Sequence, residues 1–255
     1  MTEPVCLVLG AGAGVGGNVA KRFARGGYHA VLCRRSDEQG LHRLVGEIEE
    51  EGGAASGFLL DATKPDGIEE RIAAVEAEIG PVDVVVFNLG AQIGDRSLVE
   101  TTDKAFELGW RMATLALFRT ARAVLPAMAE RGGGTFLVTS ATAAVRGNAG
   151  QHSHAAAMGG RRMLCQSLNA EFAPRGVHVT HIVIDGMVDA PDTLGKMLGE
   201  ERFAELREQR GKESDGLLVP EQVAETYWHL AHQHRSAWTH ELDLRPFSDK
   251  PWWNG

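Results

Sequence analysis

Short apolar runs alternate with amphipathic stretches along the whole chain. The runs are rich in β-branched side chains and are bounded by turn residues, which is typical of buried strands. We predict strands at Val5–Leu9, Tyr28–Leu32, Ser56–Leu60, Val82–Asn88, Thr135–Thr139, His178–Ile184 and Trp238–Leu244. The amphipathic stretches predict helices at Asn18–Arg25, Asp37–Glu51, Gly67–Ile79, Thr102–Met128, Ser153–Phe172 and Glu221–Leu230.

This alternation predicts the fold class. Near-continuously apolar strands separated by helices indicate a parallel sheet of about seven strands with helices on both faces. Right-handed crossovers then give a doubly wound α/β sheet, in which ligands bind at the carboxyl ends of the strands. We expect residues 1–255 to form a single domain. The polar stretch Asp189–Gly216 is either a short helical lid beside the site or a solvated insertion.

Composition narrows the class of protein. The chain is 44% hydrophobic and 24% charged, as in ordinary globular proteins, and its net charge of -8 argues against a nucleic-acid partner. It has no apolar run of membrane-spanning length and no secretory signal at Met-Thr-Glu-Pro, so we expect a cytoplasmic protein. The three cysteines are far apart and indicate reduced thiols. We predict no metal site, because the spacing of His229, His232 and His234 fits a solvated helix end better.

A glycine-rich segment follows the first predicted strand and opens the first predicted helix. It reads Gly10-Ala11-Gly12-Ala13-Gly14-Val15-Gly16. Glycines in a strand–turn–helix unit let the backbone approach a pyrophosphate, and the helix N-terminus offers free N–H groups and a positive dipole end. We therefore predict that Gly10, Gly14, Val15 and Gly16 bind a dinucleotide.

Four more residues follow later strands: Asp61 follows the third, Asn88 and Gly90 follow the fourth, and Gly186 follows the sixth. Together with the glycine turn, in this order and spacing, they resemble the short-chain dehydrogenase/reductase family over essentially the whole chain. The resemblance implies a Rossmann-type fold, an adenine contact from Asp61, and cofactor contacts from Asn88, Gly90 and Gly186. It also suggests a homodimer or homotetramer.

The end of the second strand selects between the two nicotinamide dinucleotides. An acid there would accept hydrogen bonds from the adenosine ribose, but this chain has Arg34 and Arg35 instead. A guanidinium can bind a 2′-phosphate through two parallel hydrogen bonds. We therefore favour NADP(H) over NAD(H), with Arg34 as the main contact; the alternative is that both arginines are merely solvated.

The family's catalytic residues are an asparagine, a serine, a tyrosine and a lysine. The tyrosine is the general acid/base, and the lysine lowers its pKa and holds the nicotinamide ribose. Aligned residue by residue, this chain has Ala113, Ala141, His154 and Met158 at these positions, with Ser140 beside the serine position. The usual catalytic set is therefore predicted to be missing.

His154 could still transfer a proton. It lies four residues before Met158, so both side chains share one helix face. An imidazole has an ordinary pKa of about 6.5, against about 10 for tyrosine, and needs no lysine to act near neutrality. The alternative is that His154 only packs. Ser140 could act as a substitute hydrogen-bond donor if the backbone shifts by one residue.

Two functions follow. The first is an NADP(H)-dependent oxidoreductase that interconverts an alcohol and a carbonyl of a small-molecule substrate, with a non-standard active site. The second is a catalytically silent relative that acts as a binding or regulatory protein. The glycine turn and Asp61 favour retained cofactor binding, and the replaced catalytic positions favour silence. We favour the enzyme. The loop Ala91–Glu100 and the lid would shape the substrate pocket, but they carry no recognisable motif.

Overall fold

The computed structural model of the chain describes residues 3–90, 95–211 and 214–254. These residues form one parallel sheet of seven strands in the order β3-β2-β1-β4-β5-β6-β7. The strands are β1 Val5–Leu9, β2 His29–Arg34, β3 Ala54–Leu59, β4 Val82–Phe87, β5 Gly134–Ala141, β6 Val177–Ile184 and β7 Glu241–Leu244. The strand order reverses between β1 and β4, which confirms the predicted doubly wound, Rossmann-type sheet.

Helices cover both faces of the sheet. They are α1 Val15–Arg25, α2 Glu38–Glu50, α3 Gly67–Glu78, α4 Asp103–Trp110, α5 Ala116–Glu130, α6 His152–Phe172, α7 Lys196–Leu198, α8 Glu200–Arg210 and α9 Pro220–Ala231. Side chains of β1 alternate between two cores: Leu7 and Leu9 pack with α3, α5 and α6, whereas Val8 packs with α1, α2 and α9. The near-continuously apolar strands are explained by this burial on both faces.

The stretch predicted as one helix at Thr102–Met128 is divided in the structure. Helix α4 begins after Thr102, whose side-chain hydroxyl accepts a hydrogen bond from the Ala105 N–H at 3.2 Å. A π-helical segment, Arg111–Leu115, then separates α4 from α5. A π segment has an apolar pattern close to that of an α-helix, so sequence periodicity does not reveal it. It matters because Ala113 lies within it.

Two further regions bear on the site. The stretch predicted as a lid contains α7 and α8, and Arg207 pairs with Asp189 at 2.6 Å at its base. Residues 91–94 of the predicted substrate loop and 212–213 of the lid lie outside the described residues. Among the residues described, no helix is long and apolar enough to cross a bilayer, and no cluster of three metal-ligating side chains occurs.

The three cysteines, Cys6, Cys33 and Cys165, are free and buried. Burial raises the pKa of the Cys33 thiol to about 12 and that of the Cys165 thiol to about 12. Neither forms an appreciable fraction of thiolate near neutral pH, so both behave as small apolar core residues.

Candidate cofactor and active site

A cavity of about 760 Å³ opens at the carboxyl ends of the strands. Nine of the ten residues predicted to bind a cofactor line it: Gly10, Gly14, Val15, Gly16, Arg34, Arg35, Asp61, Asn88 and Gly90. Gly186 is placed differently, since a Cβ atom on it would lie 2.5 Å from the Pro246 ring. Its neighbours Ile184 and Val188 do line the cavity.

The cavity has two parts, one on each side of the point where the strand order reverses. We call them the β1–β3 half, lined by the glycine turn, Arg34, Arg35 and Asp61, and the β4–β6 half, lined by Leu89, Met112, Thr139, Ile184 and Val188. In doubly wound sheets a dinucleotide lies across this reversal, with one nucleotide on each side. The cavity therefore has the extent and position that such a ligand requires.

The glycine turn forms a cradle that side chains would fill. Gly10 has φ of +93°, and a Cβ atom on it would lie 2.6 Å from the Asn88 carbonyl oxygen. A Cβ atom on Gly16 would overlap the Gly10 carbonyl oxygen, to which the Asn88 side-chain amide donates a hydrogen bond at 2.9 Å. Helix α1 has no acidic residue in its first turn and no side-chain cap. Its free N–H groups therefore fit the pyrophosphate of a dinucleotide.

Arg34 is fixed against the start of α2 at the edge of the β1–β3 half. Its Nη2 lies 2.9 Å from Asp37 Oδ2, and its buried Nη1 has no hydrogen-bond partner among the described residues. Asp37 Oδ1 also accepts the Gly40 N–H at 2.9 Å, and this bond, with the Arg34 charge, lowers the pKa of the Asp37 carboxyl. Arg35 is exposed on the same loop. Two guanidinium groups at this edge of the cavity suit an anionic ligand group.

Asp61 lies at the end of the same half and is held in place by Thr63. Its Oδ1 accepts hydrogen bonds from the Thr63 hydroxyl at 2.7 Å and from the Thr63 N–H at 3.0 Å. The hydroxyl bond lowers the pKa of the Asp61 carboxyl, with smaller contributions from Lys64 and Arg35. Asp61 is therefore an ionised acceptor whose orientation is set before a ligand arrives.

The positions aligned with the family's asparagine and lysine lie together behind the β4–β6 half. Ala113 is 0% exposed and Met158 is 2% exposed, and both belong to one small apolar cluster with Ala143 and Ala157. Ser140 is also buried, and its hydroxyl donates to the Met158 sulfur at 3.7 Å. The surroundings of Ala113 and Met158 are thus apolar, and Ala141 ends β5.

His154 is half-buried in the first turn of α6. It lines a small recess with Arg96, Thr101, Ala105, Gly150, Gln151 and Ser153. None of His154, Ser140 and Met158 is among the described residues that line the cofactor cavity. The Ser153 hydroxyl donates to the Phe106 carbonyl at 2.9 Å, which joins the start of α6 to α4. His154 and Met158 lie on adjacent turns of one helix, as the four-residue spacing predicts.

Sequence reasoning missed one side chain of this region, Arg161. It lies one turn after Met158 on the same face of α6 and is 2% exposed. Burial lowers the pKa of its guanidinium to about 10, which leaves it charged at neutral pH. A signal was present in the sequence, because an arginine seven residues after His154 falls on the buried face of the predicted helix.

Comparison with known proteins identifies the class. The family model for short chain dehydrogenases matches residues 4–197. Since this is most of the chain, the protein belongs to the short-chain dehydrogenase family, and the predicted resemblance is confirmed.

Three similar proteins illustrate the family. The short-chain reductase protein NovJ of Streptomyces niveus is 32% identical over 227 residues, or 88% of this chain and 85% of NovJ. A short-chain dehydrogenase structure from Rhodopseudomonas palustris is 34% identical, with a TM-score of 0.79 over 96% of this chain and 99% of that one. The actinorhodin polyketide ketoreductase structure with NADPH is 26% identical, with a TM-score of 0.84 over 97% and 99%. These relatives are oxidoreductases.

Proposed function

We propose that the protein is an NADP(H)-dependent oxidoreductase that interconverts an alcohol and a carbonyl with a non-standard active site. The observation that carries this proposal is the single cavity that runs from the Arg34–Arg35 loop to Thr139. It joins the β1–β3 half, whose charged side chains suit an anionic adenosine, to the β4–β6 half, which we assign to the nicotinamide and the substrate. The similarity to dehydrogenases and reductases supports the same reaction class.

The preference for NADP(H) over NAD(H) rests on the charge at the end of β2. Arg34 and Arg35 both line the cavity, and Arg35 is exposed. Both suit a 2′-phosphate. Asp37 also lines the cavity and could accept a ribose hydroxyl, which keeps NAD(H) as the alternative. The similar actinorhodin ketoreductase has a structure with NADPH, which supports the first choice.

The dinucleotide supplies or accepts the hydride, so the protein must orient the substrate carbonyl and handle one proton. We assign the proton to His154, which gives it to the carbonyl oxygen in the reducing direction and recovers it on the same ring nitrogen in the oxidising direction. This role requires the His154 side chain to turn from its recess toward the cavity. Ser140 donates to a sulfur, which is a weak acceptor, so its hydroxyl can turn to a better acceptor at low cost. The cavity walls contribute the remaining rate acceleration, because they hold the substrate carbonyl close to the nicotinamide ring.

A catalytically silent binding or regulatory protein is the second candidate. It is favoured by the apolar cluster around Ala113 and Met158, which removes the polar groups used by the family's proton relay. Such a protein would bind the same cofactor and turn nothing over. The two candidates therefore differ in turnover and share the β1–β3 half of the cavity.

We also propose that the protein is a cytoplasmic homodimer or homotetramer. Large apolar side chains remain exposed on α4, α5 and α6, including Trp110, Phe118 and Met163. Exposed apolar groups on neighbouring helices are typical of contacts between subunits. Sedimentation velocity of the purified protein tests the assembly, and a monomer at all concentrations would contradict it.

Titration with NADPH and NADH, followed by nicotinamide fluorescence, tests cofactor binding. We expect NADPH to bind more tightly, and we expect Arg34→Gln and Arg35→Gln to weaken NADPH about tenfold or more while NADH changes little. Equal affinities for the two cofactors would contradict the NADP(H) preference, and the absence of any binding would contradict both candidate functions.

A panel of ketones and alcohols, with turnover followed at the nicotinamide absorbance, separates the enzyme from the silent relative. With a true substrate we expect His154→Ala to lower kcat about 100-fold or more. His152→Ala, at the start of the same helix, is the matched control and should keep kcat. NADPH binding without turnover on any substrate would favour the silent protein, and unchanged kcat in His154→Ala would remove His154 from the mechanism.

A further inference from the structure

Arg161 places a buried positive charge directly behind the β4–β6 half of the cavity. Its Nη1 donates to the Thr139 carbonyl at 2.6 Å, its Nη2 to the Leu89 carbonyl at 2.9 Å, and its Nε to the Ala113 carbonyl at 3.3 Å. Within residues 3–90, 95–211 and 214–254, no carboxylate forms an ion pair with it. A buried guanidinium satisfied only by neutral backbone carbonyls is unusual, because burial of a cation normally requires an opposite charge.

The three carbonyls belong to three different walls of the cavity. The pairing of strands β4 and β5 ends at Phe87 and Val138, and the backbone segments that follow are no longer paired with each other. Arg161 bridges this split, because one of its nitrogens holds Leu89 after β4 and another holds Thr139 at the end of β5. Both Leu89 and Thr139 line the cavity.

The third carbonyl comes from the π-helical segment between α4 and α5. Ala113 is adjacent to Met112, which lines the cavity. Unwinding into a π-helix disturbs the regular backbone hydrogen bonds, and a side-chain donor can satisfy a carbonyl in such a segment. Arg161 therefore connects three of the segments around the β4–β6 half: the turn after β4, the end of β5 and the π segment.

Only a guanidinium fits this arrangement. Its planar fork directs separate N–H groups at separate acceptors, whereas a lysine ammonium acts as a compact point charge. The guanidinium carbon also lies 5.0 Å from the centroid of the Phe87 ring, whose face favours a cation. Met158, one turn earlier on the same helix, has no hydrogen-bond donor in its side chain and cannot bind these carbonyls in place of Arg161.

We propose that Arg161 is a positioning residue that fixes the backbone of the nicotinamide end of the cofactor cavity, in place of the lysine that is absent at Met158. This inference rests on the proposed function, because it assigns the β4–β6 half to the nicotinamide. Arg161 touches no ligand itself. Its effect passes through Leu89, Thr139 and the π segment, whose side chains and backbone meet the ring and the substrate.

Calorimetric titration with two probes tests this role. The first probe is NADPH, and the second is 2′-phospho-ADP-ribose, which has the same adenosine end and lacks the nicotinamide. We expect R161K and R161Q to weaken NADPH about tenfold or more and to leave the nicotinamide-free probe within about twofold of the parent protein. The fluorescence of bound NADPH should also shift toward that of free NADPH, because its ring is held less rigidly. The shift should be smaller in R161K than in R161Q, since lysine retains one charged donor.

The neighbouring Arg162 provides a matched control. Its guanidinium pairs with both oxygens of Glu241 at 2.7 Å, on the side of α6 that faces β7. R162Q should lower thermal stability without changing the ratio of the two affinities. If Arg161 had only a structural role, its variants would give this same result: lower thermal stability and an unchanged ratio of the two affinities.

The outcomes separate the two proposals. A parent protein that binds neither probe would overturn the proposed function and this inference with it. A parent protein that binds both, with Arg161 variants that lose the two probes in parallel or lose neither, would overturn the role of Arg161 alone. Failure of both Arg161 variants to fold while R162Q folds would also overturn it, because the guanidinium would then support the whole domain and not one end of the cavity.

Discussion

The two halves of the cavity differ in where their charged side chains lie. In the β1–β3 half, Arg34, Arg35 and Asp61 face the cavity, where a ligand meets them directly. In the β4–β6 half, the buried charge of Arg161 sits behind the wall and contacts only backbone carbonyls. Binding of a phosphorylated nucleotide needs charge at the cavity surface, whereas the uncharged dihydronicotinamide ring and a carbonyl substrate need a shaped wall. The β4–β6 half therefore differs from the β1–β3 half in holding its charge behind the wall.

Restoring the family's lysine tests this difference most strongly. Met158→Lys places an ammonium group in an apolar cluster, one helical turn from the buried cation Arg161. Burial of an unpaired charge and repulsion from Arg161 should both destabilise the fold. We expect a loss of about 3–5 kcal/mol in the free energy of unfolding. Urea denaturation followed by circular dichroism measures it.

Met158→Leu is the control, because it conserves volume and polarity and should cost less than about 1.5 kcal/mol. A Met158→Lys protein as stable as the parent would show that the site still accommodates the lysine. In that case the replacement of the family's residues has changed the chemistry without changing the surrounding structure.

A change in the glycine turn should affect the other half nearly as much. Gly10→Ala introduces a Cβ atom at φ of +93° that meets the Asn88 backbone. We expect a loss of about 2–4 kcal/mol in the free energy of unfolding, together with loss of NADPH binding. Gly46→Ala is the matched control, because its Cβ atom meets nothing within 4 Å and it lies inside α2. It should stabilise the protein by about 0.5–1 kcal/mol, and equal effects of the two changes would contradict the requirement for glycine at Gly10.

Sequence patterns located the fold and one half of the site. Strand β1 was predicted at Val5–Leu9 without error, because both of its faces are buried and its apolar run is continuous. The predicted residues of the β1–β3 half meet in one cavity, because each follows its strand at the same edge of the sheet.

The other half was harder to predict from sequence. The π segment around Ala113 has no separate periodicity, and the position of Gly186 beside Pro246 depends on how the C-terminal residues return to the sheet. Arg161 was missed because its partners are backbone carbonyls of residues 22 to 72 positions away, which leave no trace in side-chain type. Sequence motifs reveal side chains that contact a ligand, but they do not reveal side chains that donate hydrogen bonds to distant backbone carbonyls.

Acid should destabilise the fold through His181, which is buried on β6. The His181 side chain is 0% exposed, and burial lowers its pKa from 6.5 to about 4, although Glu241 lies 2.9 Å away and favours the charged form. The folded pKa is below the unfolded one, so the unfolded state takes up a proton first and stability falls as the pH drops from about 6.5 toward 4. For this group we expect a loss of about 2 kcal/mol between pH 7 and pH 5, measured by urea denaturation at each pH.

His181→Gln should flatten that pH dependence. His29→Gln is the matched change under the β1–β3 half, where the His29 ring contacts the Ser56 hydroxyl at 3.0 Å, and it should leave the acid-induced loss in place. If the parent and His181→Gln lose stability equally between pH 7 and pH 5, His181 is not the group that titrates.

The smallest expected effect concerns Asp37, the acid within the otherwise basic edge of the β1–β3 half. Asp37→Asn removes the carboxylate that pairs with Arg34 but keeps a side-chain oxygen for the Gly40 N–H, so the cap of α2 is retained. The Nη2 of Arg34 is then released from its carboxylate partner, and the negative charge beside the 2′-phosphate is gone. We expect NADPH to bind about threefold more tightly, since an exposed charge contributes little, and NADH to bind no more tightly than before. Fluorescence titration with both cofactors measures the ratio, and a fall in NADPH affinity would show that Asp37 orients Arg34 for binding and does not compete for it.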